Sequence, residues 1–478
     1  MRIAFLFNYL MSEHLPFGMT TLGAMVKQRG HACEYFPSEV PYEDLRARLA
    51  AFDPGVLAYS TSTNCLKGYL EVNARLRADF PSVRSIFGGP HPTLCPEMIE
   101  QQGVDMVCVG EGEFPLVEYL AALDHGAEPS GIANLWIKHP DGAIERNPTR
   151  PFIDNLDDLP FPDYSFVERR PILRESRIAY VMAGRGCPFR CSYCINHILC
   201  SKATGKYVRL RSVENVLQEI EEIVRRYECV YVNFQDDTFA SSLPWLREFA
   251  EKFPARIGLP FFCHLTAKLV REETADLLAR AGCDVAVIGV ETGDEGLRRG
   301  ALKKVSTDED ILRTARLMRA RGIQLVTQNM FGIPGETVHT ALKTIELNQR
   351  CDVPWANFYF FQPYPMMELT DEAARQGLIP PNYEFPRAFS TSGCRIPLLL
   401  PDREALQLIG ELAFYLLEHP RRFRATKWIA RLCGGRWPLI AWLRHLKAIA
   451  GPPRRNYDAF AARHNEALRA RARSMPSV

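Results

Sequence analysis

The run Gly184-Arg185-Gly186-Cys187-Pro188-Phe189-Arg190-Cys191-Ser192-Tyr193-Cys194 decides how this chain is interpreted. Its three cysteines have the spacing C-x-x-x-C-x-x-C and follow an apolar stretch, residues 178–182, that predicts a strand. Three thiolates in one loop can bind three irons of a [4Fe–4S] cube and leave the fourth iron open, whereas a pure electron carrier usually uses four cysteines. The pattern therefore predicts a cluster that binds a small chelating molecule.

A zinc loop, or three buried cysteines without a metal, are the alternative interpretations of this run. Zinc sites favour two C-x-x-C pairs or additional histidines. His197 lies close enough in the sequence to keep the zinc alternative open.

Length and composition are those of an ordinary globular protein. The 478 residues predict two or three domains, and 47% hydrophobic and 24% charged residues are usual values. The net charge of +2 indicates no particular partner, and the 14 cysteines lack the rhythm of a disulfide scaffold. We expect no signal peptide, because the apolar run at residues 3–7 is too short. We also expect no transmembrane helix, and a reducing, cytoplasmic setting.

Residues 1–125 alternate short apolar runs with amphipathic segments. Five strands are predicted, at residues 3–7, 32–36, 56–60, 85–87 and 105–109. Five βα units predict a doubly wound, Rossmann-like sheet, in which ligands bind at the carboxyl ends of the strands. Three polar or glycine-rich motifs fall at these ends: Ser60-Thr61-Ser62, Gly88-Gly89-Pro90-His91 and Gly110-Glu111-Gly112-Glu113.

The rest of the chain divides into three segments. Residues 126–172 contain seven prolines and are predicted to be an irregular linker. Residues 173–388 resume the alternation, with strands predicted at 178–182, 230–234, 261–264, 285–290, 325–331 and 357–362, and indicate a partial (β/α)6 barrel. Residues 389–478 are basic and tryptophan-bearing, and are predicted to be helical.

Four motifs follow barrel strands in order after the cysteine loop. Asp236 and Asp237 can bind a cation or an amine, or only cap the next helix. Glu291 can accept hydrogen bonds from ribose hydroxyls, and Gly332 and Gly335 around a proline suit a flat ring. The fourth motif is Pro363-Tyr364-Pro365-Met366-Met367. Because all four motifs follow barrel strands, they predict one ligand site at the carboxyl ends of these strands.

His264 and two cysteines are additional candidates for the cavity. His264 ends the third predicted strand and could serve as an acid or base. Cys200 and Cys394 lie in polar loops and could face the cavity.

The cysteine loop, with Tyr193 at its aromatic position, and the four strand-end motifs together resemble the cobalamin-associated branch of the radical S-adenosylmethionine (SAM) superfamily, over residues 1–385. The resemblance implies that the three cysteines hold a [4Fe–4S] cluster whose open iron is chelated by SAM. It further implies SAM contacts from the cluster loop and the barrel, namely Tyr193 in the loop, Glu291 to the ribose, Gly332 and Gly335 to the adenine, Asp237 to the methionyl amine and Arg211 to the carboxylate.

The N-terminal sheet resembles the cobalamin-binding domain that precedes such barrels. By this resemblance Ser60 and Ser62 line the nucleotide tail, and the motifs Gly88-Gly89-Pro90-His91 and Gly110-Glu111 contact the cofactor, with His91 at the corrin rim or tail. The best-known form of this domain carries D-x-H-x-x-G after its first strand. The sequence around His14 does not fit this spacing, so we expect no histidine on cobalt.

One departure from the branch lies after the sixth barrel strand. The branch usually has P-Y-P-G-T there, whereas this chain has Met366 and Met367 in place of Gly-Thr. Two flexible thioethers could reshape a substrate cavity.

The resemblance implies a methyltransferase that acts on an unactivated carbon, or a phosphinate phosphorus, of a small-molecule or natural-product substrate. An external donor such as flavodoxin or ferredoxin would supply electrons. The alternatives are a rearrangement, cyclisation or oxidation without methyl transfer, a tRNA methylthiotransferase with a second cluster, and a cobalamin-binding sensor.

The basic C-terminal region leaves three interpretations open. It could cap the barrel mouth, lie at a membrane surface, or bind nucleic acid. No nucleic acid is expected, because the sequence lacks a recognisable RNA-binding module.

Overall fold

The computed structural model describes residues 1–8, 15–168, 170–385 and 395–450. His14 and Cys394, two residues considered above, lie outside the described residues. The chain forms two compact units. The first contains Met1–Ser176 and His197–Arg211, and the second contains Arg177–Asn196, Ser212–Glu384 and the described residues after 394.

The first unit is built on one sheet of seven strands. These are β1 (Arg2–Phe7), β2 (Ala32–Pro37), β3 (Val56–Ser60), β4 (Arg84–Gly88), β5 (Met106–Cys108), β6 (Leu135–Lys138) and β7 (Ile144–Arg146). Their order is β2-β1-β3-β4-β5-β6-β7, and β1 to β5 pair in parallel. The order 2-1-3-4-5 is a common doubly wound arrangement with a topological switch between β1 and β3, so the Rossmann-like prediction is confirmed.

Helices cover this sheet because its central strands are apolar on both faces. Residues 3–7 of β1 are all buried, as expected of a parallel strand between two helical layers. The helices are α1 (Phe17–Gln28), α2 (Tyr42–Phe52), α3 (Thr63–Asp79), α4 (Pro90–Leu94), α5 (Glu113–Asp124), α6 (Ser165–Glu168) and α7 (Pro171–Ser176), with 3-10 turns at Pro96–Glu100 and Leu156–Asp158.

The segment expected to be an irregular linker contributes two strands to this sheet. Strand β6 pairs antiparallel with β5, and β7 pairs antiparallel with β6. Leu135 and Ile137 of β6 are buried, whereas Trp136 and Lys138 are only partly buried. The hairpin therefore extends the sheet at this edge and buries one apolar face. The available signal was the tripeptide Pro140-Asp141-Gly142, a typical turn sequence between the two short strands.

The second unit is built on six parallel strands. These are β8 (Ile178–Val181), β9 (Tyr231–Phe234), β10 (Phe261–Leu265), β11 (Cys283–Glu291), β12 (Gln324–Phe331) and β13 (Trp355–Phe360). Their order follows the chain, from β8 at one edge to β13 at the other. This arrangement confirms the predicted open, partial barrel. Two further strands of two residues each are Gly184–Arg185 and Arg209–Leu210.

Helices pack on one face of these strands. In chain order, the helices after β8 are α8 (Asn196–Leu199), most of which belongs to the first unit, and then α9 (Val213–Tyr227), α10 (Leu243–Arg256), α11 (Glu272–Ala281), α12 (Glu295–Arg299), α13 (Asp308–Ala320), α14 (Val338–Cys351), α15 (Glu368–Arg375), α16 (Arg403–Glu418), α17 (Pro420–Cys433) and α18 (Trp437–Ala450), with a 3-10 turn at Ala267–Leu269. Phe234 of β9 contacts Phe249 and Phe253 of α10, with ring centroids 5.6 and 6.4 Å apart. Side chains alternate between the two faces along a strand. The residues on either side of Phe234 therefore face the concave side of the barrel.

Helix α16 packs on the last strand of the barrel. A Cβ built on Gly410 would lie 2.5 Å from Cε1 of Phe360, so only glycine permits this close approach. Three helices fill most of residues 403–450, so the helical character predicted for this region is confirmed.

Candidate active site

The three predicted cluster ligands lie in the loop that follows β8. Cys187, Cys191 and Cys194 are free thiols, of which Cys191 is buried and the other two are partly accessible. The Sγ of Cys187 lies 3.6 Å from Oγ1 of Thr238, and Nδ2 of Asn196 donates to Sγ of Cys194 at 3.6 Å. The loop thus presents three thiols that form no disulfide at the carboxyl edge of the barrel.

Ser192, between two of these cysteines, fastens the loop to distant chain. Its N–H donates to the carbonyl of Leu302 at 3.0 Å, and its hydroxyl donates to the carbonyl of Ala301 at 2.5 Å. Its own carbonyl accepts from the N–H of Leu369 at 3.1 Å. Three hydrogen bonds to one residue fix the position of the loop, which prepares the thiols for a rigid cluster.

Burial and charge act on these thiols in opposite directions. Burial raises the pKa of Cys191, and the ammonium of Lys304 opposes this rise. Burial raises the pKa of Cys194 to about 11, against hydrogen bonds from Asn196. Both sulfurs are therefore protonated near neutral pH without a metal, and iron binding must displace these protons.

The donor set fits a cube better than a single ion. Among the residues that the structure describes, no three His, Cys, Asp or Glu side chains lie close enough to hold one metal ion. A [4Fe–4S] cube does not need such closeness, because each thiolate binds a different iron. Cys187, Cys191 and Cys194 are the residues that would hold it.

Glu291, Tyr193 and Lys304 form a polar cluster beside the cysteine loop. The Nζ of Lys304 lies 3.6 Å from Oε1 of Glu291 and 3.4 Å from the hydroxyl of Tyr193. Burial, followed by the charge of Glu291, raises the pKa of Tyr193. Glu291 follows an irregularity in the pairing of β11 with β12 and has φ +66, a conformation that non-glycine residues seldom adopt. Sequence reasoning found Glu291 and Tyr193 but missed Lys304, which belongs to no local motif.

Arg298 braces the loop that carries Glu291. Its side chain has 0% exposure. It donates to the carbonyls of Thr292 at 3.0 Å and Ser306 at 3.2 Å, and to the carboxylate of Asp308 at 2.6 Å. The guanidinium therefore joins the segments before and after Lys304, and sets the separation between Lys304 and Glu291.

The two aspartates after β9 have different environments. Asp236 is buried and accepts from the N–H of Ala183 at 3.0 Å, so it connects two neighbouring strands. Asp237 has an accessible tip but is surrounded by protein, and this loss of bulk solvent raises its pKa against a hydrogen bond from Asn196. Asp237 is thus available to a ligand, and Asp236 is occupied in the fold.

The two glycines after β12 form a tight turn around Pro334. Gly332 has φ +78 and Gly335 has φ +81. A Cβ on Gly332 would lie 2.8 Å from Ile396, so glycine is required there. The N–H of Gly332 donates to Oε2 of Glu336 at 2.5 Å. Burial raises the pKa of Glu336 to about 8, against hydrogen bonds from Gly332 and Ile333, and its Oε1 has no hydrogen-bond partner among the described residues.

The pKa is 4.5 for an ordinary glutamate and about 8 for Glu336 in the folded protein. As pH rises through this window, the Glu336→Gln variant should become more stable relative to the parent protein. In this window the unfolded chain has lost the proton that the folded state keeps. The free energy of unfolding of the parent therefore falls by up to about 1.4 kcal/mol per pH unit. Glutamine does not titrate and lacks this slope. Chemical denaturation of both proteins across the window measures it, and a constant difference would contradict the assignment.

Met366 stands at the position where the radical SAM branch that this sequence resembles usually has glycine. It has φ +65 and its side chain is 52% exposed, whereas Met367 is buried. The backbone thus keeps a glycine-like conformation at about 1–2 kcal/mol of strain for a residue with a Cβ. The substitution leaves a thioether at the carboxyl edge of the barrel.

The concave face of the barrel carries neutral polar side chains. Strand pairing places Asn233 beside Phe262, His264 beside Val287, and Gln328 beside both Gly289 and Asn357. The partly accessible polar residues that share this face or extend it are Asn233, Gln235, His264, Gln328 and Asn357. The polar groups of this face are therefore mostly amides, and they lie on the same face as an apolar cluster that includes Val285, Val287 and Val326. His264 belongs to it, as predicted.

In the first unit, the motifs after β3 and β4 come together. Ser60 pairs with Gly88, the N–H of Thr61 donates to the carbonyl of Gly88 at 2.7 Å, and the N–H of His91 donates to the carbonyl of Thr61 at 3.0 Å. Gly89 has φ +98, and a Cβ there would lie 3.0 Å from the N of Thr61. Ser60 is exposed and Ser62 partly accessible at this edge. The glycine-lined edge fits the close approach of a large cofactor.

The other predicted residues of this unit have protein partners. His91 is buried, with Nδ1 3.1 Å from Oγ1 of Thr63. The N–H of Gly110 donates to Oγ1 of Thr93 at 3.0 Å.

Two charged candidates of this unit also have protein partners. Glu111 pairs with buried Arg209 at 2.9 Å and accepts from the N–H of Ile153 at 2.8 Å. The guanidinium of Arg211 lies 5.5 Å from the ring centre of Phe161. The structure thus gives Glu111 and Arg211 packing roles within the first unit, and their predicted cofactor contacts stay predictions.

Two family models match the two units. The radical SAM superfamily model matches residues 181–347, and the B12 binding domain model matches residues 5–120. The first match includes the cysteine loop and three of the four strand-end motifs. The second includes the parallel strands of the first sheet, from residue 5 of β1 to the end of β5.

Two relatives match this chain over most of its length. The chain is 26% identical to an uncharacterised methyltransferase of Pyrococcus horikoshii over 76% of this chain and 79% of the relative. It is 24% identical to the anaerobic magnesium-protoporphyrin IX monomethyl ester cyclase of Rubrivivax gelatinosus, over 82% of this chain and 69% of the relative.

A solved structure has the same fold. The radical SAM methyltransferase TsrM of Kitasatospora setae, with tryptophan substrate and a SAM analogue bound, has a TM-score of 0.67 and 21% identity over 81% of this chain and 80% of that chain. Another structure of TsrM contains cobalamin and a [4Fe–4S] cluster.

Proposed function

Because this chain belongs to the radical SAM superfamily and carries a B12-binding domain, we propose that it methylates an unactivated carbon of a small-molecule substrate. Its cofactors, when bound, supply a 5′-deoxyadenosyl radical from the [4Fe–4S] cluster and SAM, and a transferable methyl group from cobalamin. An external donor such as flavodoxin or ferredoxin would reduce the cluster.

The observation that carries this proposal is the polar cluster next to the cysteine loop. Tyr193 lies one residue before Cys194, and its hydroxyl lies 3.4 Å from Lys304, which in turn lies 3.6 Å from Glu291. A carboxylate held in this way can accept hydrogen bonds from ribose hydroxyls while three thiolates hold the iron. We assign Glu291 to the ribose, Asp237 to the methionyl amine, and Gly332 and Gly335 to the adenine.

The first unit would hold cobalamin at the carboxyl ends of β3, β4 and β5. Ser60 and Ser62 would donate to the nucleotide tail, and Gly88, Gly89 and Pro90 would allow its backbone to approach. Neither these residues nor His91 needs to ligate cobalt.

The concave face supports a neutral polar substrate. Asn233, Gln328 and Asn357 can each donate and accept a hydrogen bond, and a substrate that lacked matching groups would cover these partly accessible amides and leave them unpaired. A substrate held at this face would be oriented toward the strand ends, where the radical is generated.

Anaerobic incubation with methyl-labelled SAM, cobalamin and a strong reductant tests the proposal. We expect both 5′-deoxyadenosine and S-adenosylhomocysteine, and label on cobalamin. Glu291→Gln should lower SAM binding and the yield of 5′-deoxyadenosine, while Glu251→Gln, at an exposed position of α10, should not. Formation of 5′-deoxyadenosine without S-adenosylhomocysteine would reject methyl transfer. It would instead favour a reaction without methyl transfer, for which the Rubrivivax gelatinosus cyclase is a precedent among the relatives.

A further inference from the structure

The hairpin of helices α17 and α18 exposes an unusual set of apolar side chains. Trp428, Leu432 and Trp437 are 63%, 67% and 73% exposed, the highest values for large hydrophobic residues in the described part of the chain. Trp428 and Leu432 are four residues apart and share one face of α17. Trp437 begins α18, directly after the turn. The three side chains therefore belong to the turn end of one hairpin.

The hairpin that carries these exposed side chains is itself packed firmly against the rest of the second unit. The opposite faces are buried, through Phe423 and Ala430 in α17 and through Leu439, Leu443 and Leu446 in α18. The indole N–H of Trp442 donates to Oγ1 of Thr426 at 2.9 Å, which joins the two helices. Lys427 pairs with Glu346 of α14 at 2.6 Å. The tryptophans thus project from a fixed support.

The same hairpin is strongly basic. Residues 419–450 contain eight Lys or Arg and no Asp or Glu. Three of these cations, Lys427, Arg444 and Lys447, pair with acidic residues elsewhere in the fold. The other five have no ion pair within the described residues, namely Arg421, Arg422, Arg424, Arg431 and Arg436. A hairpin that combines exposed apolar side chains with arginines that have no ion pair within the described residues complements a surface that is apolar inside and anionic outside.

We propose that the α17–α18 hairpin docks on a bilayer that contains anionic lipids. Trp428, Leu432 and Trp437 enter the boundary between headgroups and acyl chains, a depth that tryptophan prefers. The arginines contact lipid phosphates, which favours an anionic surface over a neutral one. No helix among the described residues has the length and apolar character to cross a bilayer, so the contact is peripheral. This inference does not depend on the proposed methyl transfer.

Sedimentation of the full chain with vesicles tests this docking. Vesicles of phosphatidylcholine mixed with phosphatidylglycerol should bind at least about tenfold more protein than vesicles of phosphatidylcholine alone, and added salt should reduce the binding. The triple variant Trp428→Ser/Leu432→Ser/Trp437→Ser should lose binding to both. The variant Arg424→Gln/Arg431→Gln/Arg436→Gln should lose only the preference for anionic vesicles.

Leu399→Ser is the matched control, because this exposed leucine lies outside the hairpin. It should bind vesicles as the parent does. All variants should keep the parent melting temperature, since the replaced side chains are exposed. Equal binding of parent and triple variant would overturn the proposal. So would an absence of vesicle binding together with tight binding of an RNA homopolymer, or with a dimer that the triple variant dissociates.

Discussion

Replacing Cys191 by alanine is expected to abolish both the cluster and the formation of 5′-deoxyadenosine. The parent should bind about four irons per chain after anaerobic reconstitution, whereas the variant offers the cube only two thiolates. Iron analysis and Mössbauer spectroscopy measure the cluster, and chromatography measures the nucleoside. Because Ser192 still fastens the loop through the carbonyls of Ala301 and Leu302, the fold should survive.

Cys200→Ala is the matched control for this experiment. Its Sγ lies 3.1 Å from the carbonyl of His197, to which it can donate, and its removal should leave about four irons and normal nucleoside yield. A Cys191→Ala protein with a full cluster would contradict the assignment of the ligands. About eight irons in the parent would instead indicate a second cluster, as a methylthiotransferase requires.

Replacing Arg298 by methionine should destabilise the second unit by about 3–5 kcal/mol, because it leaves buried polar partners without their cation. The lost contacts are those to the carbonyls of Thr292 and Ser306 and to the carboxylate of Asp308. Burial lowers the pKa of Arg298, and the charge of Asp308 opposes this effect. Urea denaturation monitored by circular dichroism measures the change.

The adjacent Arg299 provides a control with the same chemistry and a different environment. Its side chain is 61% exposed and its pair with Glu295 is 3.6 Å long. Arg299→Met should cost no more than about 0.5 kcal/mol. If the two variants lost equal stability, the bracing role of Arg298 would be wrong.

Strand order and the edge of the site could be predicted because their signals are local. Each barrel strand is a short apolar run, and each is followed by its own motif, as at Glu291 and Gly332. Parallel topology then brings the motifs to one edge without further information. The apolar run at residues 3–7 likewise predicted a strand of the doubly wound sheet, and all five residues are buried in β1.

Contacts between distant segments could not be predicted. Lys304 and Tyr193 are 111 residues apart, and Ser192 and Ala301 are 109 residues apart. No periodicity marks a lysine in Leu302-Lys303-Lys304 as a partner of a carboxylate rather than as a solvated cation. Glu111 is the opposite case. Its local motif predicted a contact with the cofactor, whereas in the fold its carboxylate pairs with Arg209.

Met366 has a consequence for how this enzyme could be altered. Because its backbone already has the left-handed shape, glycine could replace it without any rearrangement of the main chain. The exchange would remove only the exposed thioether and, with it, the strain of a left-handed residue that has a Cβ. The size of the side chain at this strand end can therefore be changed at one codon while the main chain keeps its shape.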